Sequence, residues 1–187
     1  RKFCVEDNVR IVPGGSAVRR GAYMASGTII MPPSYVNVGA YVDSGTMVDS
    51  HVTIGSCAQI GKNVHISAAA QIGGVLEPAG ALPCIIEDGA FVGGNCGIFE
   101  GTIVQEGAVI ASGVIITSST VIFDATTGEF VERNADGRVV VPRNAVVVSG
   151  SKPISRGKGK DSGVQLYCPV IVKYRDDKTA GSILLED

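Results

Sequence analysis

The chain has 187 residues, a formal net charge of −2 and 45% hydrophobic residues. That length buries a real core in one or two units, and so small a charge gives no electrostatic footing for nucleic acid or an anionic membrane. No apolar run approaches the ~20 residues of a membrane span, and the opening residues carry no signal-peptide pattern. Trp is absent and aromatic residues make up 5%, as suits a thin core with room for few rings. The five cysteines (Cys4, Cys57, Cys84, Cys96 and Cys168) are an odd set without CxxC spacing. A reduced, cytoplasmic protein is therefore expected, with Cys57 and Cys96 as core filler.

In chain order, residues 1–17 lead in, with a strand at Val9–Val12 before the turn Pro13-Gly14-Gly15. From Val18 an aliphatic residue recurs every six positions: 18, 24, 30, 36, 42, 48, 54, 60, 66 and 72, then 86, 92, 98, 104, 110, 116 and 122. All are Val, Ile or Met, and such a period is the signature of a parallel β-helix. Four residues later the side chain is mostly small, as at Ala22, Thr28, Ser34, Ala40, Thr46, Cys96 and Thr102. Three residues later, Gly or Asn predominates, from Gly21 and Gly27 to Gly107 and Gly113. These types tolerate positive φ, so the chain turns its corners there. Three strands per coil give eighteen residues per turn, stacked ~4.8 Å apart. A β-sandwich has no reason to keep such a register.

The stretch Leu76 to Cys84 breaks the period, because 72 to 86 is fourteen steps rather than twelve. It is read as a projecting loop inserting two residues, the kind of feature that builds binding sites on solenoids. A second excursion, Asp124 to Val139, carries turn signals at Thr126-Thr127-Gly128 and Ala135-Asp136-Gly137 and is read as a hairpin. A last coil strand at Val140–Val148 follows, so the β-helix is expected over 18–150. Residues 149–163 are polar, Gly-rich and basic, with Lys152, Arg156, Lys158 and Lys160. They read either as a solvated linker or as a phosphate clamp. Val164 to Tyr174 alternates like a strand, so 151–187 is expected to be a flexible basic loop followed by a capping strand and tail. The class is all-β. The open ends of such a coil would template aggregation unless capped, and its flat sides suit packing into a closed threefold ring.

Longer strings go beyond the repeat. Met31-Pro32-Pro33-Ser34-Tyr35-Val36-Asn37-Val38-Gly39 leads through Gly45-Thr46-Met47-Val48-Asp49, Gly55-Ser56-Cys57-Ala58-Gln59-Ile60-Gly61-Lys62-Asn63-Val64-His65 and Ile72-Gly73-Gly74-Val75-Leu76-Glu77-Pro78. Ile85-Ile86-Glu87-Asp88, Phe99-Glu100-Gly101, Val146-Val147-Val148-Ser149-Gly150 and Leu166-Tyr167-Cys168 continue the series. Together they resemble the tetrahydrodipicolinate N-succinyltransferases, members of the hexapeptide-repeat acyltransferase superfamily. The family's N-terminal helical domain has no counterpart in this sequence.

The resemblance implies a left-handed parallel β-helix, a homotrimer with active sites between neighbouring subunits, and a cytoplasmic enzyme of diaminopimelate and lysine biosynthesis. It would move a succinyl group from succinyl-CoA, a co-substrate, to tetrahydrodipicolinate or its open form, 2-amino-6-oxopimelate. No tightly bound cofactor and no metal are expected.

The chemistry, an amine attacking a thioester, calls for a base, cations for carboxylates, and donors for a developing oxyanion. Asp49 resembles the family's substrate-binding aspartate; following an inward aliphatic, it points outward, to hold and deprotonate the amine. Glu100 resembles the second acidic residue, expected nearly three coils away, roughly 13 Å along the axis. Arg10 matches a family arginine, and Arg19 is a second candidate for the substrate carboxylates. Ser112 and Gly113 match the place where the family's coil lines the pantetheine channel, and Lys158 and Lys173 are candidates for CoA phosphates.

His65 matches a family position. The chain departs from the family at His51, where Trp is usual, at Gly94-Asn95-Cys96-Gly97, where Arg and Glu are usual, and at Ser67-Ala68-Ala69-Ala70-Gln71. These departures keep open a related N-acyltransferase using acetyl-CoA or a modified amino-acid acceptor. A metal-binding, carbonic-anhydrase-like β-helix would want three histidines, and the chain has two.

Overall fold

The six-residue period is seen directly in a computed structural model, which describes residues 3–75, 81–160 and 162–176. The chain winds as a left-handed parallel β-helix of three faces. The first face stacks Arg10–Ile11, Ile29–Ile30, Met47–Val48, His65–Ile66, Phe91–Val92, Val109–Ile110 and Ala145–Val148. The second stacks Ala17–Val18, Tyr35–Val36, Thr53–Ile54, Gln71–Ile72, Gly97–Ile98 and Ile115–Ile116, and the third Tyr23–Met24, Tyr41–Val42, Gln59–Ile60, Ile85–Ile86, Ile103–Val104 and Val140–Val141. Partners are eighteen apart where nothing intervenes, as for Ile29 with Met47 and Tyr35 with Thr53.

Of the seventeen periodic aliphatics all but Val18 are buried, and they form one continuous core with the small residues Ala40, Ala58, Ala70, Ala90 and Ala108. A large and a small inward side chain per corner fill a narrow prism without voids to spare. Most corners fall where expected, and at several the left-handed conformation holds without Gly or Asn. Gly21, Gly27, Gly39 and Gly45 have positive φ there, and so do His51 (62°), Cys57 (61°) and Ala69 (60°). Cys57 is therefore a half-exposed corner residue, not core filler. Cys96 is buried as expected.

Three departures from the sequence reading have simple causes. The strand in the lead-in, Arg10–Ile11, pairs with Ile29–Ile30, so it is itself the lowest rung of the first face. The break after Ile72 inserts eight residues, not two, since His65 pairs with Phe91, 26 residues on instead of 18. The strands at 72 and 86 lie on successive faces, and no hexad is hidden in the loop. Its centre, 76–80, lies outside the described residues. Val140–Val148 is two rungs on two faces, not one strand.

The hairpin excursion is present: Phe123 pairs antiparallel with Phe130. Strand Val170–Tyr174 lies antiparallel on Ala145–Val148 and is flanked on its other side by Phe123–Asp124. It satisfies the ladder of the uppermost first-face rung. Asp124, 5% exposed, fastens this end: its carboxylate accepts from Tyr174 Oη at 2.7 Å and from Thr126 N and Oγ1 at 2.9 and 2.7 Å. Burial pushes the Tyr174 phenol up to about 12, with Asp124 adding to the shift. Within the basic segment, Ser151–Pro153 pairs with Gln165–Tyr167, so part of that stretch is a hairpin.

Candidate functional site

Three ridges run along the prism where one face turns into the next. The first ridge, between the first and second faces, carries Asp49-Ser50-His51, then Ser67-Ala68-Ala69, Gly93-Gly94-Asn95 and Ala111-Ser112-Gly113 in successive coils. It brings Asp49 into line with Ser112 and Gly113, three coils or ~14 Å apart along the axis. The residues between are small, and the coils stack closely: a Cβ on Gly93 would lie 2.5 Å from Ser112 N.

Asp49 follows the inward Val48 and is half-buried. Its Oδ1 accepts from Ser50 N at 2.7 Å, which fixes the carboxylate over its own corner. Its backbone is held too, N–H to Ile66 O at 2.9 Å and carbonyl to Ser34 Oγ at 2.7 Å. A carboxylate so placed can accept a proton from an amine at the surface of the coil. His51 stands exposed at the corner itself, its N–H donating to Pro33 O at 2.6 Å. His65 lies on the first face, half-buried, with its ring 5.1 Å from that of Phe91.

The second ridge, between the second and third faces, carries Arg19 and Glu100. Both insertions leave from it, one between Gln71–Ile72 and Ile85–Ile86, the other between Ile115–Ile116 and Val140–Val141. Arg138 ties them together, donating to Gly101 O and Pro83 O. Glu100 and Gly101 are both left-handed, φ 53° and 75°.

The Glu100 carboxylate accepts from Ser118 Oγ and from Ser118 N, the latter at 2.8 Å. These bonds, the hydroxyl's first, hold it below the usual carboxylate range. Such a group is a poorer base and a better fixed anion. It stands on a different ridge from Asp49 and two and a third coils above it, ~11 Å along the axis. The nearly three coils expected from the sequence counted one hexad too many.

The remaining candidates are dispersed. Arg10 is exposed at the foot of the first face, two coils below Asp49, and Arg19 donates to Asn37 Oδ1 at 3.0 Å. Lys158 is exposed in a short 3-10 turn, Gly157–Gly159, and Lys173 lies in the capping strand opposite Val146. Two hollows of about 400 and 470 Å³ lie on the third face and third ridge, among Tyr41, Gln59, Glu87, Asp88, Glu106 and Arg175. None of the expected residues lines them. The first ridge is convex, so one chain alone does not enclose a substrate there.

In the sequence Ser34 is one of the small core residues. The signal for its bond to the Asp49 corner is a hydroxyl at an inward position, which Thr28, Thr46 and Thr102 share, so the sequence does not single it out.

Winding, core and corner rules together define a hexapeptide-repeat left-handed β-helix, and residues 83–118 match the model of the "hexapeptide repeat of succinyl-transferase". The fold is shared with the acetyltransferase domain of PglB from Neisseria gonorrhoeae, at TM-score 0.51 and 16% identity over 75% of this chain and 51% of that one. In sequence, the chain is homologous to the 2,3,4,5-tetrahydropyridine-2,6-dicarboxylate N-succinyltransferases, as its motifs led one to expect. It is 54% identical over 178 residues to that of Pasteurella multocida, covering 95% of this chain and 60% of the relative. It is 50% identical over 182 residues to that of Legionella pneumophila, covering 97% and 61%. The chain thus spans about three fifths of the length of these relatives.

Proposed function

We propose that this chain is the acyl-transfer β-helix of a CoA-dependent N-succinyltransferase acting on tetrahydrodipicolinate or 2-amino-6-oxopimelate. The observation that carries the reading is 54% identity over 95% of the chain to an enzyme of that name. The alignment of Asp49 with Ser112-Gly113 on one ridge of small residues supports it. Succinyl-CoA is the co-substrate. Its pantetheine arm would lie along the first ridge, with Lys158 or Lys173 near its phosphates. Arg10 and Arg19 would bind acceptor carboxylates.

In the reaction water first adds across the C=N bond of tetrahydrodipicolinate and the ring opens to 2-amino-6-oxopimelate. Its amine nitrogen attacks the thioester carbonyl carbon, Asp49 takes the proton that nitrogen loses, and the C–S bond breaks as the carbonyl re-forms. The departing CoA thiolate is then protonated. Backbone N–H groups of the ridge corners are suited to the oxyanion. Glu100, already anionic, orders the second ridge or neutralises a substrate cation.

A convex ridge becomes a cleft only against another surface. The third face presents Tyr23, Tyr41, Gln59, Ile85, Ile103 and Val140 outward, a ladder apolar except at Gln59, with Tyr23 stacked on Tyr41 at 5.0 Å. A homotrimer that packs this face on the first face of a neighbouring subunit would set the first ridge of one subunit beside the second ridge of another. Among the described residues no helix is long and apolar enough to cross a membrane, in keeping with a cytoplasmic enzyme.

The test is a steady-state assay of the full-length protein with tetrahydrodipicolinate, following CoA release from succinyl-CoA and, separately, from acetyl-CoA. Succinyl-CoA is expected to be the better donor. Turnover with acetyl-CoA alone would overturn the donor assignment. Asp49→Asn is expected to lower kcat by about 100-fold or more, and unchanged turnover would remove Asp49 from the mechanism.

A further inference from the structure

We infer that Ser34 is the positioning residue for Asp49. This rests on the acyl-transfer reading above and deepens it. Ser34 is 6% exposed and faces inward, one coil below the corner that carries Asp49. Its Oγ donates to Asp49 O at 2.7 Å, and Val52 N donates to the same Oγ at 3.2 Å. One hydroxyl therefore clamps both ends of the turn 49–52. The turn in between presents the Asp49 carboxylate, itself folded back onto Ser50 N.

Ser34 is anchored in its turn: its N–H donates to Ser16 Oγ at 3.1 Å, and Ser16 Oγ donates to Met31 O at 3.4 Å. Ser16 clamps the corner 31–34 below in the same way, but the clamp does not continue unbroken up the ridge. The inward residues below the next two corners are Val52 and Ala70, which have no hydroxyl to offer. Clamping resumes at the corner with Ser112 and Gly113, where Cys96 Sγ donates to Ala111 O at 3.0 Å. The two corners of this ridge expected to meet substrate and donor are thus tied from below by a side chain, while the two between them are not. Thr46 makes the same clamp on the third ridge, to Gly61 O at 2.7 Å and from Val64 N at 3.1 Å, where no expected functional residue lies.

A misplacement of an ångström at a reacting group costs up to about 100-fold in rate. The experiment is steady-state kinetics of the full-length protein with succinyl-CoA and tetrahydrodipicolinate for Ser34→Ala, Ser34→Thr, Thr46→Ala, Asp49→Asn and the Ser34→Ala/Asp49→Asn pair. Thermal unfolding is recorded for each. Ser34→Ala should lower kcat about 10- to 100-fold with little change in KM for succinyl-CoA. Ser34→Thr should restore it, since Thr46 shows that threonine makes the clamp. Thr46→Ala should melt early, as Ser34→Ala does, yet keep its kcat. The double variant should be no slower than Asp49→Asn alone.

If Ser34→Ala and Thr46→Ala lose the same activity, or if the double variant is slower than Asp49→Asn, Ser34 is only structural and the inference fails. If instead Asp49→Asn keeps full turnover, it is the catalytic reading that fails.

Discussion

Ile66 sits near the middle of the coil, fully buried, its backbone paired with Val48 below and Val92 above. Ile66→Ala removes three carbons from a core that cannot collapse, because the flanking rungs are fixed by their ladders. The transfer contribution is about 2.4 kcal/mol at ~0.8 per carbon. The cavity left between rigid rungs raises the total to about 3–4 kcal/mol. Ile66→Val should cost about 1 kcal/mol. Ile115→Ala, outward on the second face and 39% exposed, should cost about 1 kcal/mol or less. The assay is urea unfolding followed by circular dichroism at one fixed protein concentration, since assembly would add its own stabilisation. A loss below 1 kcal/mol for Ile66→Ala, or an Ile115→Ala loss as large, would mean that the inward and outward assignment is wrong.

Other outcomes follow from the corners and the cap. Gly74→Ala should destabilise by more than about 2 kcal/mol, because its Cβ would lie 2.5 Å from Ser56 N in the coil below, and denaturant midpoints would show it. His51→Gly should stabilise by up to about 1 kcal/mol, since φ is 62° and glycine adopts that conformation without strain; a lower melting temperature would contradict it. Tyr174→Phe should cost about 1–2 kcal/mol at neutral pH, the phenol being partly exposed. With the Tyr174 pKa raised to about 12, its stabilisation is complete below about pH 10 and lost as pH climbs towards 12. Alkaline melting curves of wild type and Tyr174→Phe should therefore converge over that window.

Much of this molecule is legible along the chain, for a physical reason. A solenoid makes its contacts between residues a fixed number apart, so a local period reports directly on tertiary packing. The aliphatic at every sixth position, the small partner four later and the turn three later each predicted a buried or left-handed residue, even at Ala69. The outward setting of Asp49 followed from the same count. The length of an insertion did not. The register says only that a strand resumes at Ile86, and whether it resumes on the next face or one further round is decided by which rung it pairs with. That choice made the loop eight residues longer than one coil requires and moved Glu100 closer to Asp49 along the axis. Nor could the sequence tell that Asp49 and Ser112 share a ridge while Glu100 stands on another, because a ridge is a property of winding and insertions reset the count. The pairing of Val170–Tyr174 with Ala145–Val148 is likewise settled only in three dimensions, since no period relates those residues. The clamp from Ser34 keeps the period, Val52 lying eighteen residues on, but that the hydroxyl turns to the Asp49 carbonyl is a fact of the fold.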